Sequence, residues 1–508
     1  MRRPHAFLAI RKKSMTDTEP RLSDKELMER TLREMPAFAA WPSVAMSRLL
    51  AFSRLQWHTR GKLLSDEATE PEMLTLVSGS VLHTRPSDSN AGLTWTLLGP
   101  GVLLGFAHML ELEERPFEYI ASDDAVAIHI PGHQLFALLD SEPARWADIG
   151  HMLISQDVEQ GQLTTSQMAG KLSRRVAETI EKLAEYYGTR GSEDGAVHLR
   201  LAQHDMASML RVSRQSAHKE LAALAASGVI KLKYNAVAIL DPVALQNIAR
   251  PALASHAPNA VARVSWGKNS LADNAFMERE LRVKQAFMPW SFTAMTRLLL
   301  SSRVGRHPRG SVVWTELSGV SEYVLFISGH ISIGRVSPEG DRFSLLLWGP
   351  GDFSYLKPVL EEALPTLNHG HYDFVATTDV VAIHMPMALL LEILDSEPML
   401  WKEALLMSER QHVSYTHTVH GQVAGSLQQR VASTVQRLAA LHGTHANGED
   451  VVRLQVSQAS LAMMLQANRQ AVNKELKALA ASGVLGLEYN AMTVLDAKAL
   501  GLIAASPQ

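Results

Sequence analysis

Residues Gln203–Leu240 read QHDMASMLRVSRQSAHKELAALAASGVIKLKYNAVAIL, and their apolar spacing resolves into two short helices followed by a hairpin. The first helix ends at Leu210, and Arg211-Val212 turn the chain. Ser213 starts the second helix, since a hydroxyl at that position accepts from the unpaired backbone N–H groups of the first turn. Met206, Leu210, Ala217, Leu221 and Leu224 fall on one side and make a small shared core. Ser213, Arg214, Gln215, His218 and Lys219 are left on the outer face, with Ser216 among them. Ala226-Ser227-Gly228 stops the helix, and Ile230–Lys233 pairs with Val237–Leu240 through Tyr234-Asn235-Ala236 as a hairpin wing. A helix that shows Arg, Gln and Lys near its start suits the DNA major groove. Arg pairs with guanine, Gln with adenine, and Lys with guanine or phosphate.

The same outward set returns as Asn468, Arg469, Gln470, Asn473 and Lys474, behind a helix Gln458–Leu465. A merely solvated face does not demand the same Arg, Gln and Lys twice. Working outward, the repetition covers the chain. MER at Met28–Arg30 recurs at Met277–Arg279, AMxRLL at Ala45–Leu50 recurs at Ala294–Leu299, and GPG at Gly99–Gly101 recurs at Gly349–Gly351. VAIH at Val126–His129 recurs at Val381–His384, and DSEP at Asp140–Pro143 recurs at Asp395–Pro398, with Trp146 and Trp401 following. Order is kept and the spacing drifts only from 249 (28 to 277) to 255 (214 to 469). This is duplication of a whole multidomain unit, far beyond the period of a solenoid.

Each copy divides again. Short β-rich runs at Met73–Val77, Val81–Thr84, Leu93–Leu98, Phe117–Ala121 and Ala125–Ile130, broken by turn residues, describe a β-roll or barrel. Turn signals vanish after Pro143, which predicts a long helix. Leu172–Tyr187 is amphipathic, with Val176, Ile180, Leu183 and Ala184 on one face, and a polar loop, Gly188–Gly195, follows. The expected organisation is a basic arm at 1–20, a roll at 21–142, a long helix at 143–169 and a winged helix-turn-helix at 170–249. A linker at 250–274 leads to the second roll at 275–397, long helix at 398–424 and winged domain at 425–508.

At 508 residues the chain needs several cores, and a net charge of −3 requires any DNA-binding surface to come from local clustering. Absence of cysteine excludes disulfides and thiolate metal sites and fits a cytoplasmic protein. Arg2, Arg3, Arg11, Lys12 and Lys13 surround a short apolar stretch, Ala6–Ile10, read as a disordered basic arm. No segment is apolar and long enough to cross a bilayer. His83, His108 and His129 lack ligand spacing, so neither metal nor haem is expected, and no phosphate-binding loop or catalytic arrangement points to an enzyme.

Both halves resemble the catabolite-activator/FNR family, most specifically through V-S-R-Q-x-x-x-K-E-L at Val212–Leu221. The resemblance implies an α+β fold: two copies of a cyclic-nucleotide-binding-like β-roll, a long dimerisation helix and a winged helix-turn-helix. It places base reading on Arg214, Gln215 and Lys219 and on Arg469, Gln470 and Lys474. Ser213, Ser216, His218, Asn468 and Asn473 lie on the same surface, Gln203 and Gln458 meet phosphates at helix starts, and Lys231 and Lys233 reach them from the first wing. In the second wing these lysines become Gly486 and Glu488. The family usually has glycine at the turn where this chain has Arg211 and Gln466.

The family's phosphate cassette is not matched. Its Gly-Glu pair falls on Gly105-Phe106 and on Tyr355-Leu356, and its Arg-Ser/Thr pair on Arg115-Pro116 and near Gly370-His371. A buried phosphate without a cation is costly, so the second copy is not expected to bind cyclic nucleotide and the first, through Arg115, only weakly; cyclic nucleotide is not expected to be required. Phe106, Arg115, Phe117 and Tyr119, with Tyr355, Tyr372 and Phe374 in the second copy, mark either a filled roll or a pocket for an apolar small-molecule effector.

A heptad frame from Trp146 gives Ile149, Leu153, Gln156, Gln160, Leu163 and Gln167; that from Trp401 gives Ala404, Ser408, Gln411, Tyr415, Thr418 and Gln422. Both seams are half polar and poor for a free coiled coil, which a covalent tether offsets by raising effective concentration. The expected function is sequence-specific regulation of transcription by a fused pseudo-dimer on double-stranded DNA, with RNA polymerase as a partner if it activates. The alternative is an effector- or protein-binding module of the same fold that has lost DNA binding.

Overall fold

The computed structural model describes residues 22–65, 70–85, 93–110, 112, 117–168, 170–191, 195–249, 269–315, 321–336, 342–354, 371–423, 425–445 and 451–505. The basic arm, the linker as far as residue 268, Arg115-Pro116, Tyr355-Leu356 and Gly370 lie outside them. The chain forms two compact units. One takes the described residues of 1–251 together with Leu391–Arg410, and the other those of 252–355, 367–390 and 411–508.

In the first unit the roll has two antiparallel three-stranded sheets. Ala125–Pro131 sits between Arg54–His58 and Glu72–Ser78, and Val81–Arg85 sits between Leu93–Leu98 and Glu118–Ala121. Leu74, Leu76, Val81, Leu98, Leu104 and Ala127 fill the space inside; Leu74 and Leu76, two apart, share one face of their pleated strand, which is buried on both faces from Glu72 to Leu76. The long helix runs Ala144–Met168 and the amphipathic helix Leu172–Tyr187, whose Val176, Ile180 and Leu183 are fully buried. The polar loop carries one unforeseen element: Thr189–Arg190 pairs with Val197–Arg200 as the edge of the wing sheet. That sheet continues through Ala236–Ile239 to Ile230–Lys233.

The second unit repeats the plan. Val380–Pro386 lies between Arg303–His307 and Glu322–Ser328, and a second sheet runs Val312–Thr315, His371–Ala376, Ile331–Val336, Arg342–Trp348. Its helix Leu427–His442 begins with a Ser426–Gln429 capping box, which satisfies two orphan N–H groups reciprocally. Its wing sheet runs Thr444–His445, Val452–Leu454, Ala491–Val494, Leu485–Glu488. One expected boundary moves. The linker read through Asn274 ends earlier, because Ser270 and Asp273 form a capping box that starts a helix at Leu271.

Candidate nucleic-acid interface

The first helix-turn-helix is Gln203–Leu210 followed by Arg214–Ala226. Ser213 Oγ accepts from Ser216 N at 3.1 Å and lies 2.8 Å from Ser216 Oγ, so both hydroxyls are engaged in the cap. Met206, Leu210, Ala217, Leu221 and Leu224 are buried as the spacing predicts, and Ser213, Arg214, Gln215, His218 and Lys219 are exposed. Gln203 is half-buried, its Oε1 3.1 Å from His218 Nδ1, so the two expected contact residues meet each other. Arg211 takes the turn with φ 56°, a left-handed conformation costing a side-chain-bearing residue roughly 1 kcal/mol. Its guanidinium lies 4.9 Å over the Trp95 ring, a cation–π contact that offsets about that much. The wing turn is shorter than expected. Ala236 already pairs with Lys233, leaving Tyr234-Asn235 as the turn, with Asn235 at φ 51°. Lys231 and Lys233 are exposed beside it.

The second motif is Gln458–Met464 and Arg469–Ala481, with Gln466 at φ 47°. Asn468 caps through its side chain, accepting from Gln470 N at 2.8 Å. Asn468, Arg469, Gln470 and Lys474 are exposed, whereas Gln458 and Asn473 are half-buried. Glu488 is exposed in the second wing and pairs with Arg453 at 2.5 Å.

A linkage that no local sequence pattern signals fixes each motif to the helix before it. Arg175 Nε donates to Gln167 O at 2.7 Å, and its Nη2 donates to Leu210 O, the last residue of the first motif helix. Arg430 repeats this with Gln422 O at 2.7 Å and with Leu465 O. Burial pulls the Arg175 guanidinium down to about 10 and lowers Arg430 as well.

The aromatic residues expected around an effector pocket pack against neighbours. Phe106 is buried edge-on to Phe136 at 6.0 Å, and Tyr119 Oη accepts from Gly105 N at 3.2 Å. Phe117 and Tyr119 flank His83 at 4.5 and 5.1 Å. Phe374 meets Trp314 at 5.0 Å and Trp348 at 5.5 Å, and Tyr372 is half-buried. Arg115 and Tyr355 lie outside the described residues.

Two helix-turn-helix motifs of one construction, each set between the strands of a four-stranded wing sheet, coincide with two matches to the Crp-like helix-turn-helix domain, at residues 174–248 and 429–503. The chain carries two Crp-like helix-turn-helix domains. Among curated Crp relatives, the CRP-like cAMP-activated global transcriptional regulator of Mycobacterium tuberculosis is 25% identical over 216 residues, 42% of this chain and 93% of its own length. The cyclic AMP receptor protein of Thermus thermophilus is 23% identical over 220 residues, 43% of this chain and 98% of its own. A solved CRP-family transcriptional regulator, also from Thermus thermophilus, is 22% identical, covers 40% of this chain and 97% of its own, and has a TM-score of 0.33. No helix among the described residues is long and apolar enough to cross a membrane.

Both rolls also hold a polar chain, buried at Glu72 and His129 in the first and at His307 and His384 in the second. In the first, His58 Nε2 lies 3.1 Å from His129 Nε2, His129 Nδ1 2.8 Å from Glu72, and Arg54 Nη2 2.9 Å from Glu72. In the second, His307, His384, Glu322 and Arg303 repeat it, with the imidazoles again 3.1 Å apart. Burial, then the facing imidazole, holds His58 below its ordinary range and His307 at about 4. His129 looked isolated in the sequence because strand pairing, rather than local spacing, brings it to His58. Among the described residues no group of three or more candidate side chains is placed to hold a metal ion.

Proposed function

We propose that this Crp-family chain is a sequence-specific transcription regulator, without enzymatic activity, that grips a near-palindromic DNA site as a single polypeptide and needs no cyclic nucleotide. The observation that carries the reading is the duplicated exposed set, Arg214, Gln215 and Lys219 with Arg469, Gln470 and Lys474. In the Crp architecture two such helices about one DNA turn apart, roughly 34 Å, read a palindrome. The organisation behind it is roll, long helix and winged domain twice, with the tether ending at Ser270.

The pseudo-dimer reading draws support from the first unit, where Leu391–Arg410 packs against first-copy residues. Lys402 Nζ lies 2.9 Å from Asp140, and His151 Nε2 lies 3.1 Å from Asp395. Trp401 covers Gly150, where a Cβ would stand 2.8 Å from its ring. Each aspartate also accepts from the indole of its own copy, Trp146 to Asp140 at 3.1 Å and Trp401 to Asp395 at 2.9 Å. Cyclic-nucleotide independence draws support from Phe106, apolar and buried where the family's cassette carries its glutamate. A cytoplasmic location fits the same role, and RNA polymerase is the partner if the chain activates.

Selection of DNA from a random pool, followed by native mass measurement of the complex, tests the reading. One chain per minimal site is expected, with affinity unchanged by millimolar cyclic nucleotide. Two chains per site would overturn the pseudo-dimer, and a tenfold tightening, about 1.4 kcal/mol, the independence. Failure to enrich any sequence would favour a module that has lost DNA binding.

A further inference from the structure

The first unit contains a cavity of about 520 Å³ between the roll and the winged domain of the first copy, within the size range of small-molecule sites. Its floor is apolar, from Leu82, Leu97 and Leu201. Its rim carries Arg60, Arg200 and His204 beside Asp123, Asp205 and the wing-turn residue Asn235. Arg200 Nη1 holds Asp123 at 2.7 Å, and His204 Nε2 lies 3.3 Å from Asp205. Asp123 thus has a cation, and Asp205 an imidazole beside it. Arg60 acts on Asp205 as well, and its guanidinium faces a neutral amide: with the Asn235 oxygen turned toward it, its two Nη atoms lie at 2.7 and 3.1 Å.

Most of this charge belongs to the first copy alone. At the corresponding positions of the second copy Arg309 and Asn490 are kept, but Asp123, Arg200, His204 and Asp205 become Thr378, Gln455, Ala459 and Ser460. The extra charged groups thus distinguish the first copy from the second.

The geometry points to a binding site for a small organic carboxylate with an apolar body, its carboxylate on Arg60 and Arg200 and its body over Leu82, Leu97 and Leu201. A guanidinium recognises a carboxylate through parallel N–H donors, which an amide partner such as Asn235 yields readily. The apolar body gains from leaving water on the leucine floor. Burial raises the Asp205 carboxyl, against the opposing pull of His204 and Arg60. Because the site touches both roll and wing turn, an occupant ties the sensor of the first copy to its winged domain.

The test is made on the full chain without DNA, so its failure leaves the DNA-binding reading standing. Phenylacetate is the probe and phenethylamine, with the same ring and no carboxylate, the control; saturation-transfer NMR and isothermal titration are the readouts. Phenylacetate binds and phenethylamine does not. Arg60→Ala and Arg200→Ala each weaken the probe by at least about fivefold, while Arg309→Ala in the second copy leaves it unchanged. Arg200 is largely exposed, its side chain 74% accessible, so its replacement tests the site without testing the fold. No phenylacetate binding at about 10 mM, equal binding of phenethylamine, or indifference to both arginine replacements overturns the site.

Discussion

Gln156 holds the backbone of Leu103 at both of its polar groups: Oε1 accepts from the N–H at 2.9 Å, and Nε2 donates to the carbonyl at 2.7 Å. Gln411 does the same to Phe353, at 2.9 and 2.6 Å. The clasp ties each long helix to the roll just beyond its Gly-Pro-Gly turn. It also accounts for part of the polarity of the heptad frames, since both glutamines serve the roll backbone.

Removing the clasp leaves a buried N–H and carbonyl unpaired, which costs roughly 1–3 kcal/mol. Gln156→Ala and Gln411→Ala are expected to speed amide exchange locally, at Leu103 and Phe353 respectively. Hydrogen-exchange mass spectrometry on the full chain reads this directly. Unchanged protection in both variants would make the clasp incidental.

Arg175 and Arg430 each bridge two carbonyls, one at the end of the long helix and one at the helix-turn-helix. A lysine is a point charge that cannot span both as a planar guanidinium does. Arg175→Lys should therefore lower stability by about 1–3 kcal/mol, with faster exchange around Leu210, although no DNA-facing residue is altered. Exchange there matching the parent chain would show that the bridge holds nothing in place.

What the sequence made legible is what local periodicity and capping encode. Leu172–Tyr187 was readable because its apolar face repeats at helical spacing, and Ser213 because only a short polar side chain caps there. The duplicated Arg-Gln-Lys faces needed only comparison of one half with the other. What stayed hidden depends on distant chain meeting. His58 reaches His129 only through strand pairing, and Gln156 finds Leu103 through the fold. The cleft rim likewise joins Arg60 to residues more than a hundred positions away. The capping box at Ser270 was a local signal, masked by a run rich in Ala, Pro, Ser and Asn that reads as linker.

Acid should destabilise the second unit. His307 and His442 are pushed down to about 4, chiefly by burial, while burial pushes Asp352 up to about 6. Near pH 5 the unfolded chain therefore carries protons on both histidines and none on Asp352, and the folded chain carries one on Asp352. The unfolded state then binds one proton more, so stability falls by about 1.4 kcal/mol per pH unit between roughly pH 6 and 4. His330 and His384, also lowered by burial, act with the same sign. Urea unfolding at several pH values measures the slope, and His307→Phe should reduce it. A stability that rises on acidification would mean that Asp352 outweighs the histidines.

The two halves should grip DNA unequally. Arg214 and Arg469 occupy corresponding exposed positions, so replacing either by Ala should cost roughly 1–3 kcal/mol and relax specificity in one half-site only. The wings differ in charge. Lys231 and Lys233 are exposed beside the first wing turn, whereas Glu488 occupies the second and is paired with Arg453. Phosphate neutralisation sets the salt dependence of binding, with a slope of about 0.9 per contact. Replacing Lys231 and Lys233 together should flatten that slope by up to about 2, uniformly across sequences. Glu488→Lys should steepen it twice over, because it removes a repelling charge and releases Arg453 from its ion pair. Binding titrations across a range of salt concentrations give both slopes. If the lysine pair can be removed without effect and Glu488→Lys changes nothing, the wings stand clear of the phosphates and the recognition helices carry the contact alone.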